Sequence, residues 1–234
     1  APKEERKIEE ALTATVTVTC RELTKTITCT QTGDPYNGHD YVDLDLPSGT
    51  KWASVNIGAT IEIDYGSYFA WGETAVKPVY DWDTYKWGTL DINDKTDYGM
   101  DKYNKTDGIN TLEATDDPAT VNWGSKWHTP TYEEFLELLH NCDWTFETKR
   151  DATGRETKGF TITGRDKGNS IFLPAAGYYY SGGITSLNID GLYWSSSVYP
   201  KYLYSAYWFG FKTFGTIYDS DERRYGSPVR AVPK

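Results

Sequence analysis

The side chains that could perform acid-base or nucleophilic chemistry form no recognisable constellation in this chain. The histidines are His39, His128 and His140. None has a spacing to a serine and a carboxylate that would indicate a Ser-His-Asp set. Acidic residues are so numerous that no glycosidase pair can be selected from them. The sequence therefore predicts that the protein is not an enzyme, with no catalytic residues and no cofactor.

The cysteines and acidic side chains also lack the patterns of common metal sites. Cys142 is isolated, and no Cys-x-x-Cys or Cys/His cluster suggests zinc. Calcium-like oxygen ligands occur in a polar insertion at residues 75–112, but without the glycine and final glutamate of an EF-hand loop. They are Asp91, Asn93, Asp94 and Asp97. Solvated charge is the favoured interpretation, so we predict no metal site, and a structural ion in the insertion stays open.

Residues 190–232 have the composition of a binding surface. Tyrosine offers contact area at low entropic cost, and serine, glycine and aspartate adapt to a partner. The candidate ligand-binding residues are Tyr199, Tyr202, Tyr204, Ser205, Trp208, Gly210, Thr216, Tyr218, Asp219, Ser220, Asp221 and Ser227. We expect an unidentified protein or glycan as their ligand.

Part of this segment must be a strand that supports the candidate residues. Tyr207, Phe209 and Phe211 share one parity, while Trp208 has the other. Successive side chains of a strand point to opposite faces. The pattern therefore predicts that the first three are buried and that Trp208 is exposed. We expect one contiguous exposed face, made of Tyr199, Tyr202, Tyr204, Trp208, Tyr218, Asp219 and Asp221.

A helix after residue 131 is the clearest element upstream. Thr131 and Glu134 form a capping-box pattern. An apolar face follows at Phe135, Leu138, Leu139 and Cys142. A shorter helix is predicted near Pro118, because proline suits a first helical turn. Strands are predicted at residues 41–46, 51–58, 159–163 and 170–173.

The N-terminal part is predicted to be an arm and a β-hairpin at residues 1–36, followed by a domain at 37–234. Strict alternation at residues 14–20 and β-branched residues at 26–29 indicate the two strands. A Cys20–Cys29 disulfide and two small buried side chains are both left open.

Charge and hydropathy exclude two classes of partner. The formal net charge is −10, and no basic stripe is present, which argues against nucleic acid. No apolar run reaches the roughly 18 residues of a membrane span. The first residues look like those of a mature chain and are compatible with a removed export signal. Because the aromatic, glycine-rich composition suits secreted or surface binding proteins, we expect an extracellular or cell-surface location.

Six sequence blocks, in order, resemble one bacterial family. They are WASVNIGA at 52–59, YFAWGE at 68–73, WG at 123–124 with W-x-x-PT at 127–131, IFLPAAG at 171–177, YWSSS at 193–197 and PVR at 228–230. Together they look like the major paralogous domain called FISUMP, found in exported proteins and lipoproteins. The resemblance implies an α+β class and a C-type lectin-like fold with a mixed, mostly antiparallel sheet, two helices and long loops. It also implies a possible lipid anchor in the full-length protein.

Variable proteins of diversity-generating retroelements share that fold and suggest an origin for the tyrosines. In that branch, mutagenesis of asparagine codons yields tyrosine, serine, aspartate, glycine and threonine, but not tryptophan. Most of the candidate residues belong to this set, and no asparagine remains after residue 188. The leading hypothesis is therefore a diversified binding face. The alternative is a non-diversified FISUMP domain with a structural or glycan-binding role.

Overall fold

The computed structural model describes residues 12–20, 23–31, 36–180, 182–212 and 215–234. The chain divides into two compact units, Ala1–Gly38 and His39–Lys234. Within the described ranges, no helix combines the length and the apolar character that crossing a membrane requires.

The first unit contains the predicted hairpin. Strand β1 (Leu12–Cys20) pairs antiparallel with β2 (Leu23–Gln31). The register sets Cys20 opposite Leu23 and Cys29 opposite Ala14. Six strand residues separate the two cysteine positions, or about 20 Å, whereas a disulfide requires Cα atoms within about 7 Å. The register therefore excludes the Cys20–Cys29 disulfide that the sequence left open.

The second unit is α+β, as the sequence predicts, and its described strands pair antiparallel. Its helices are α1 (Pro118–Trp123) and α2 (Tyr132–Asn141). Its strands are β3 (Tyr41–Val42), β4 (Trp52–Ala53), β5 (Trp127–His128), β6 (Cys142–Arg150), β7 (Glu156–Gly164), β8 (Ser170–Pro174), β9 (Tyr178–Tyr180), β10 (Gly183–Thr185), β11 (Gly191–Val198), β12 (Ser205–Lys212), β13 (Gly215–Glu222) and β14 (Val232–Pro233). A 3₁₀ turn covers Trp82–Thr84.

Helix α2 begins at the predicted capping box. Thr131 Oγ1 accepts from the Glu134 amide at 3.2 Å, and the Glu134 carboxylate accepts from the Thr131 amide at 2.7 Å. The predicted apolar face is confirmed, since Phe135 and Leu138 are buried and Leu139 is partly buried. Cys142 is also buried, but its extended backbone makes it the first residue of β6 rather than part of the helix.

The main core lies where α2 meets two three-stranded sheets, β6-β7-β8 and β11-β12-β13. Phe135 stacks on Phe209 with 5.0 Å between ring centroids, and Phe160 contacts Phe211 at 4.9 Å. The predicted strands at 159–163 and 170–173 are confirmed. The strands predicted at 41–46 and 51–58 are only two residues long in the structure, as β3 and β4. Strand β6 is not predicted, because much of it is polar and exposed.

The predicted exposure of Trp208 is wrong. Trp208 retains only 9% of its accessible surface, and Tyr207, predicted to be core, is half-buried. Alternation assigns the two to opposite faces correctly. Both faces of this sheet are covered, however, and Trp208 pairs across the strands with Trp194, itself buried. Period-two alternation cannot reveal such double coverage.

Two buried arginines tie the C-terminal segment to distant parts of the unit. Arg230 donates to Asn56 Oδ1 at 2.8 Å and to the carbonyls of Ala53 and Phe172 at 2.9 and 2.7 Å. Arg223 donates to the carbonyls of two residues in the insertion, Lys102 and Tyr103. Buried cations persist only with such partners, so these contacts fix the frame around the terminal strands.

The insertion at 75–112 is an ordered loop whose acidic side chains bond to its own backbone. The Asp94 carboxylate accepts from the amides of Thr96, Asp97 and Gly99, and these bonds lower the pKa of Asp94. Asp97 in turn accepts from the Lys105 amide at 2.8 Å. Among the residues described, no group of three or more His, Cys, Asp or Glu is arranged to hold a metal ion.

Candidate ligand-binding surface

Seven tyrosine rings form an unbroken chain of contacts, which we call the tyrosine surface or, for short, the strip. Its members in order of contact are Tyr218, Tyr132, Tyr207, Tyr199, Tyr202, Tyr204 and Tyr98. The successive centroid distances are 5.8, 4.1, 5.1, 6.1, 5.7 and 5.3 Å. Five of these distances lie within the range of about 4.5–7 Å for interacting aromatic pairs, and the stacked rings of Tyr132 and Tyr207 are closer still. The rings therefore form one continuous aromatic strip.

Five parts of the unit position the strip, three of them in the terminal segment. Tyr207 lies in β12 and Tyr218 in β13, while Tyr199, Tyr202 and Tyr204 occupy the loop between β11 and β12. The register sets Phe209 opposite Tyr218, so Tyr218 lies on the same sheet face as Tyr207 and Phe209. The strip therefore continues the core-facing side of this sheet past the edge of the core.

The remaining two members come from outside the terminal segment. Tyr132 is the first residue of α2, and its amide donates to Ser197 Oγ at 3.1 Å, which ties the start of the helix to β11. Tyr98 belongs to the insertion and has a left-handed backbone, with φ of 57°. The insertion therefore contributes one end of the strip.

The hydroxyl groups distinguish the tyrosine surface from other tyrosines. Within the described ranges, none of its seven hydroxyls makes a hydrogen bond to the protein. Tyr202 and Tyr218 are 37% and 49% exposed, and the other five members are partly buried. Burial raises the pKa of Tyr132, Tyr204 and Tyr207. These hydroxyls are therefore protonated at neutral pH and can donate to a ligand.

The twelve sequence-predicted site residues do not form one face. Trp208 pairs with Asp219, and Ala206 with Asp221, so both aspartates lie on the sheet face opposite Tyr218. We expected Asp219 and Asp221 to share one surface with the tyrosines, and this expectation is wrong. Successive side chains of a strand point to opposite faces, which separates both aspartates from Tyr218. Asp219 is exposed, whereas Asp221 and Ser220 are partly buried.

Three further predicted residues are buried for reasons of backbone packing. Ser205 and Ser227 retain 5% and 2% of their accessible surface. Ser227 exchanges backbone hydrogen bonds with Phe69. At Gly210, a Cβ would collide with the Gly191 carbonyl oxygen and the Trp208 ring. The side chain of Thr216 lies outside the described residues.

Asp221 is the most perturbed carboxyl on the opposite face. Burial raises its pKa to about 6, with further contributions from Glu222 and Asp219, while the Glu222 amide opposes the shift by donating at 2.8 Å. Nearby, Arg224 pairs with Glu222 at 2.6 Å. This face is thus acidic and changes its charge near pH 6, unlike the neutral tyrosine surface.

Sequence reasoning missed three members of the strip: Tyr98, Tyr132 and Tyr207. A signal existed for Tyr132, which lies off the apolar helix face formed by Phe135 and Leu138 and is therefore expected near the surface. No local signal connects Tyr98 to residue 204, since that contact depends on how the insertion folds.

Comparison of the chain with protein-family models, with curated proteins and with solved structures finds no match.

Proposed function

We propose that the protein binds a protein or glycan ligand through the tyrosine surface, on a C-type lectin-like scaffold of the FISUMP type. One observation carries the proposal: seven contacting tyrosine rings whose hydroxyls make no hydrogen bonds within the described residues. Tyrosine is enriched where proteins bind their partners, because the ring supplies apolar area and the hydroxyl supplies specificity.

The proposed setting is the cell surface or the extracellular space, where a protein or glycan ligand would be met. The full-length protein would be exported and could carry a lipid anchor, as the resemblance implies. No enzymatic activity is part of the proposal.

We further propose that four positions of the tyrosine surface are diversified: Tyr199, Tyr202, Tyr204 and Tyr218. All are partly or largely exposed, and all can arise from mutated asparagine codons. Sequencing the DNA around the gene tests this proposal. A nearby reverse transcriptase, with an asparagine-codon-rich near-copy that differs at these codons, would support it. The absence of both would contradict it.

The alternative, a non-diversified domain with a fixed glycan-binding role, is favoured by a different observation. Tyr98 and Tyr132 continue the same strip, although they lie outside residues 190–232. Segment-limited mutagenesis would not have produced them. Identical terminal segments in many independent copies of the gene would favour this alternative.

Binding itself is tested with glycan and surface-protein arrays probed by three proteins. The first is the wild type, and the second carries Tyr202→Ser and Tyr218→Ser. The third is a control with Ile92→Ser and Ile184→Ser, which removes exposed apolar side chains elsewhere, 62% and 43% exposed. We expect wild-type signals to persist in the control and to disappear in the tyrosine variant. Signals retained equally by both variants would contradict the proposal.

A further inference from the structure

Arg224 shows how this chain itself holds a guanidinium group among tyrosine rings. The Arg224 Cζ atom lies 4.6 Å from the ring centroid of Tyr225 and 5.7 Å from that of Tyr180. Its Nε donates to Glu222 Oε2 at 2.6 Å, and its Nη2 donates to the Tyr225 hydroxyl oxygen at 3.3 Å. Aromatic rings, a carboxylate and a phenol oxygen therefore hold one arginine together, through cation–π attraction and charge-assisted hydrogen bonds.

The tyrosine surface presents the same three components at the end where α2 begins. The ring centroids of Tyr132 and Tyr207 lie 4.1 Å apart, and Tyr218 contacts Tyr132 at 5.8 Å. Glu133 follows Tyr132 in the first turn of the helix and is exposed. The three phenol oxygens make no hydrogen bond to the described residues, so they can accept from a ligand. Rings, phenol oxygens and a carboxylate thus recur here on the surface of the molecule.

Glu133 has a carboxylate that the fold does not use. In the described part of the chain it makes no ion pair and no hydrogen bond. Its neighbour Glu134, in contrast, closes the capping box and lies 3.1 Å from His128 Nε2. Burial raises the pKa of Tyr132 and of Tyr207, and the negative charge of Glu133 adds to both shifts. Glu133 is therefore close enough to both rings for its charge to act on them.

A lysine of the chain already approaches the opposite end of the strip. Lys201 is exposed, and its Nζ lies 5.1 Å from the ring centroid of Tyr202. This is the distance of a cation–π contact. Among the residues described, no lysine or arginine lies over the rings of Tyr132, Tyr207 or Tyr218. A cation from a partner would therefore meet no competing cation at the α2 end.

The overall charge favours a basic partner. The formal net charge of the chain is −10, and complementary charge speeds association and discriminates against partners of like charge. Arginine suits this surface better than lysine, because its planar guanidinium stacks on aromatic rings and presents several donors at once. It is also enriched among the residues that contribute most to binding at protein interfaces. An uncharged glycan would not be attracted by this field.

We propose that the partner of the tyrosine surface is a protein that presents an arginine side chain to the α2 end of the strip, beside Glu133. The guanidinium would stack on an exposed ring such as that of Tyr218, pair with the Glu133 carboxylate and donate to a phenol oxygen. Arg224 makes the same set of contacts within the chain. This inference rests on the proposed function, because it names the class of partner that the same surface binds.

The test is a nuclear magnetic resonance titration of the complete chain with a peptide in which arginines alternate with glycine and serine. Concentrations up to about 10 mM detect sites as weak as millimolar. A matched peptide carries citrulline, which has nearly the shape of arginine but no charge. We expect the arginine peptide to shift the amides of Tyr132, Glu133 and Tyr207 in a saturable manner. The citrulline peptide should bind about tenfold more weakly or less, and added salt should weaken binding of the arginine peptide.

Two variants that each remove one negative charge locate the site. Glu133→Gln should weaken binding of the arginine peptide about fivefold, the scale of an exposed ion pair. Asp219→Asn, at an exposed position on the opposite sheet face, should bind as the wild type does. Both positions are exposed, so both variants should keep the wild-type melting temperature. No saturable shift with the arginine peptide, equal binding of the citrulline peptide, or equal weakening by the two variants would overturn the inference.

A neutral oligosaccharide, mannohexaose, separates the failure of this inference from the failure of the proposed function. Suppose that mannohexaose shifts the strip amides, that the arginine peptide does not, and that Tyr202→Ser with Tyr218→Ser abolishes mannohexaose binding. The strip would then bind glycans, so the arginine inference would be wrong and the proposed function would stand. Array signals that persist in the same double variant would instead contradict the proposed function itself.

Discussion

Buried tyrosines of the second unit and the tyrosine surface use the same side chain differently. Five buried tyrosines, Tyr68, Tyr80, Tyr85, Tyr103 and Tyr193, all donate their hydroxyl hydrogens to the protein. The acceptors lie far away in sequence for some of them: the Tyr68 hydroxyl bonds to the Ala176 carbonyl at 2.6 Å. The hydroxyls of the tyrosine surface make no such bonds within the described ranges.

The difference shows which tyrosines the fold requires. A buried hydroxyl must be hydrogen-bonded, so each scaffold tyrosine is specified by a particular acceptor. Members of the tyrosine surface contact one another through their rings, at about 0.5–1.5 kcal/mol per pair. Changes to the strip should therefore affect stability little and binding strongly, and changes to the scaffold should do the opposite.

The largest effect is expected in the core beneath the strip. Leu138→Ala should lower the free energy of unfolding by about 2–5 kcal/mol, because Leu138 is fully buried and its loss leaves a cavity. Urea denaturation measures this. Leu139→Ala, at a partly buried position on the same helix, should cost less. A loss well under 1 kcal/mol for Leu138→Ala would mean that α2 does not anchor the scaffold.

Asp221→Asn should stabilise the protein at neutral pH. The pKa of Asp221 is raised to about 6 in the folded protein, against about 3.9 in an unfolded chain. The folded state therefore holds more protons between these values, and stability falls as the pH rises through this window.

The asparagine variant lacks this penalty. The free energy of unfolding of Asp221→Asn should exceed that of the wild type by at most about 3 kcal/mol above pH 6, and solvent screening reduces this difference. The difference should vanish below about pH 4. Urea denaturation from pH 4 to pH 8 measures the difference. If the difference in unfolding free energy between the wild type and Asp221→Asn does not change with pH, Asp221 has the pKa of an ordinary aspartate and the prediction is wrong. Asp219→Asn, at an exposed position, is the matched control.

Removing single hydroxyls compares the two groups of tyrosines directly. Tyr193→Phe should cost about 1–3 kcal/mol, because the Pro174 carbonyl loses a buried donor. Tyr207→Phe should change stability by no more than about 0.5 kcal/mol, since its hydroxyl bonds to no described residue. Thermal unfolding of the two variants side by side is the measurement. Equal losses would remove the distinction between scaffold and strip.

The smallest effect is expected on the strip itself. Tyr202→Ser combined with Tyr218→Ser should cost only about 1.5 kcal/mol, because both rings are exposed and lose three ring contacts, each at the lower end of its range. The melting temperature reports this. The scaffold pair Tyr80→Ser and Tyr103→Ser serves as the contrast and should unfold the protein. Unfolding of the surface variant would identify these rings as core.

Local patterns predict much of this fold, and long-range packing accounts for the rest. The hairpin and the start of α2 are predicted because alternation and capping act between nearby residues. The burial of Trp208 is not predicted, because it depends on what covers the second sheet face. Two-residue strands such as β3 and β4 lie beyond local signals for the same reason.

The candidate site was predicted in part. The loop tyrosines Tyr199, Tyr202 and Tyr204 do join one strip, but composition could not assign Tyr132 or Tyr98 to it. Those contacts form only when α2 and the insertion meet the terminal strands. Hydroxyl bonding is likewise a tertiary property, so no sequence pattern separates scaffold tyrosines from those of the strip.

The separation between strip and scaffold is tested most directly by substituting every position from 190 to 232 in a displayed library and measuring protease resistance. The account predicts that Tyr199, Tyr202, Tyr204 and Tyr218 accept most polar residues without loss of the folded fraction. It predicts that Tyr193, Phe209, Phe211, Arg223 and Arg230 accept few substitutions. Strip tyrosines as intolerant of substitution as these scaffold residues would contradict the account.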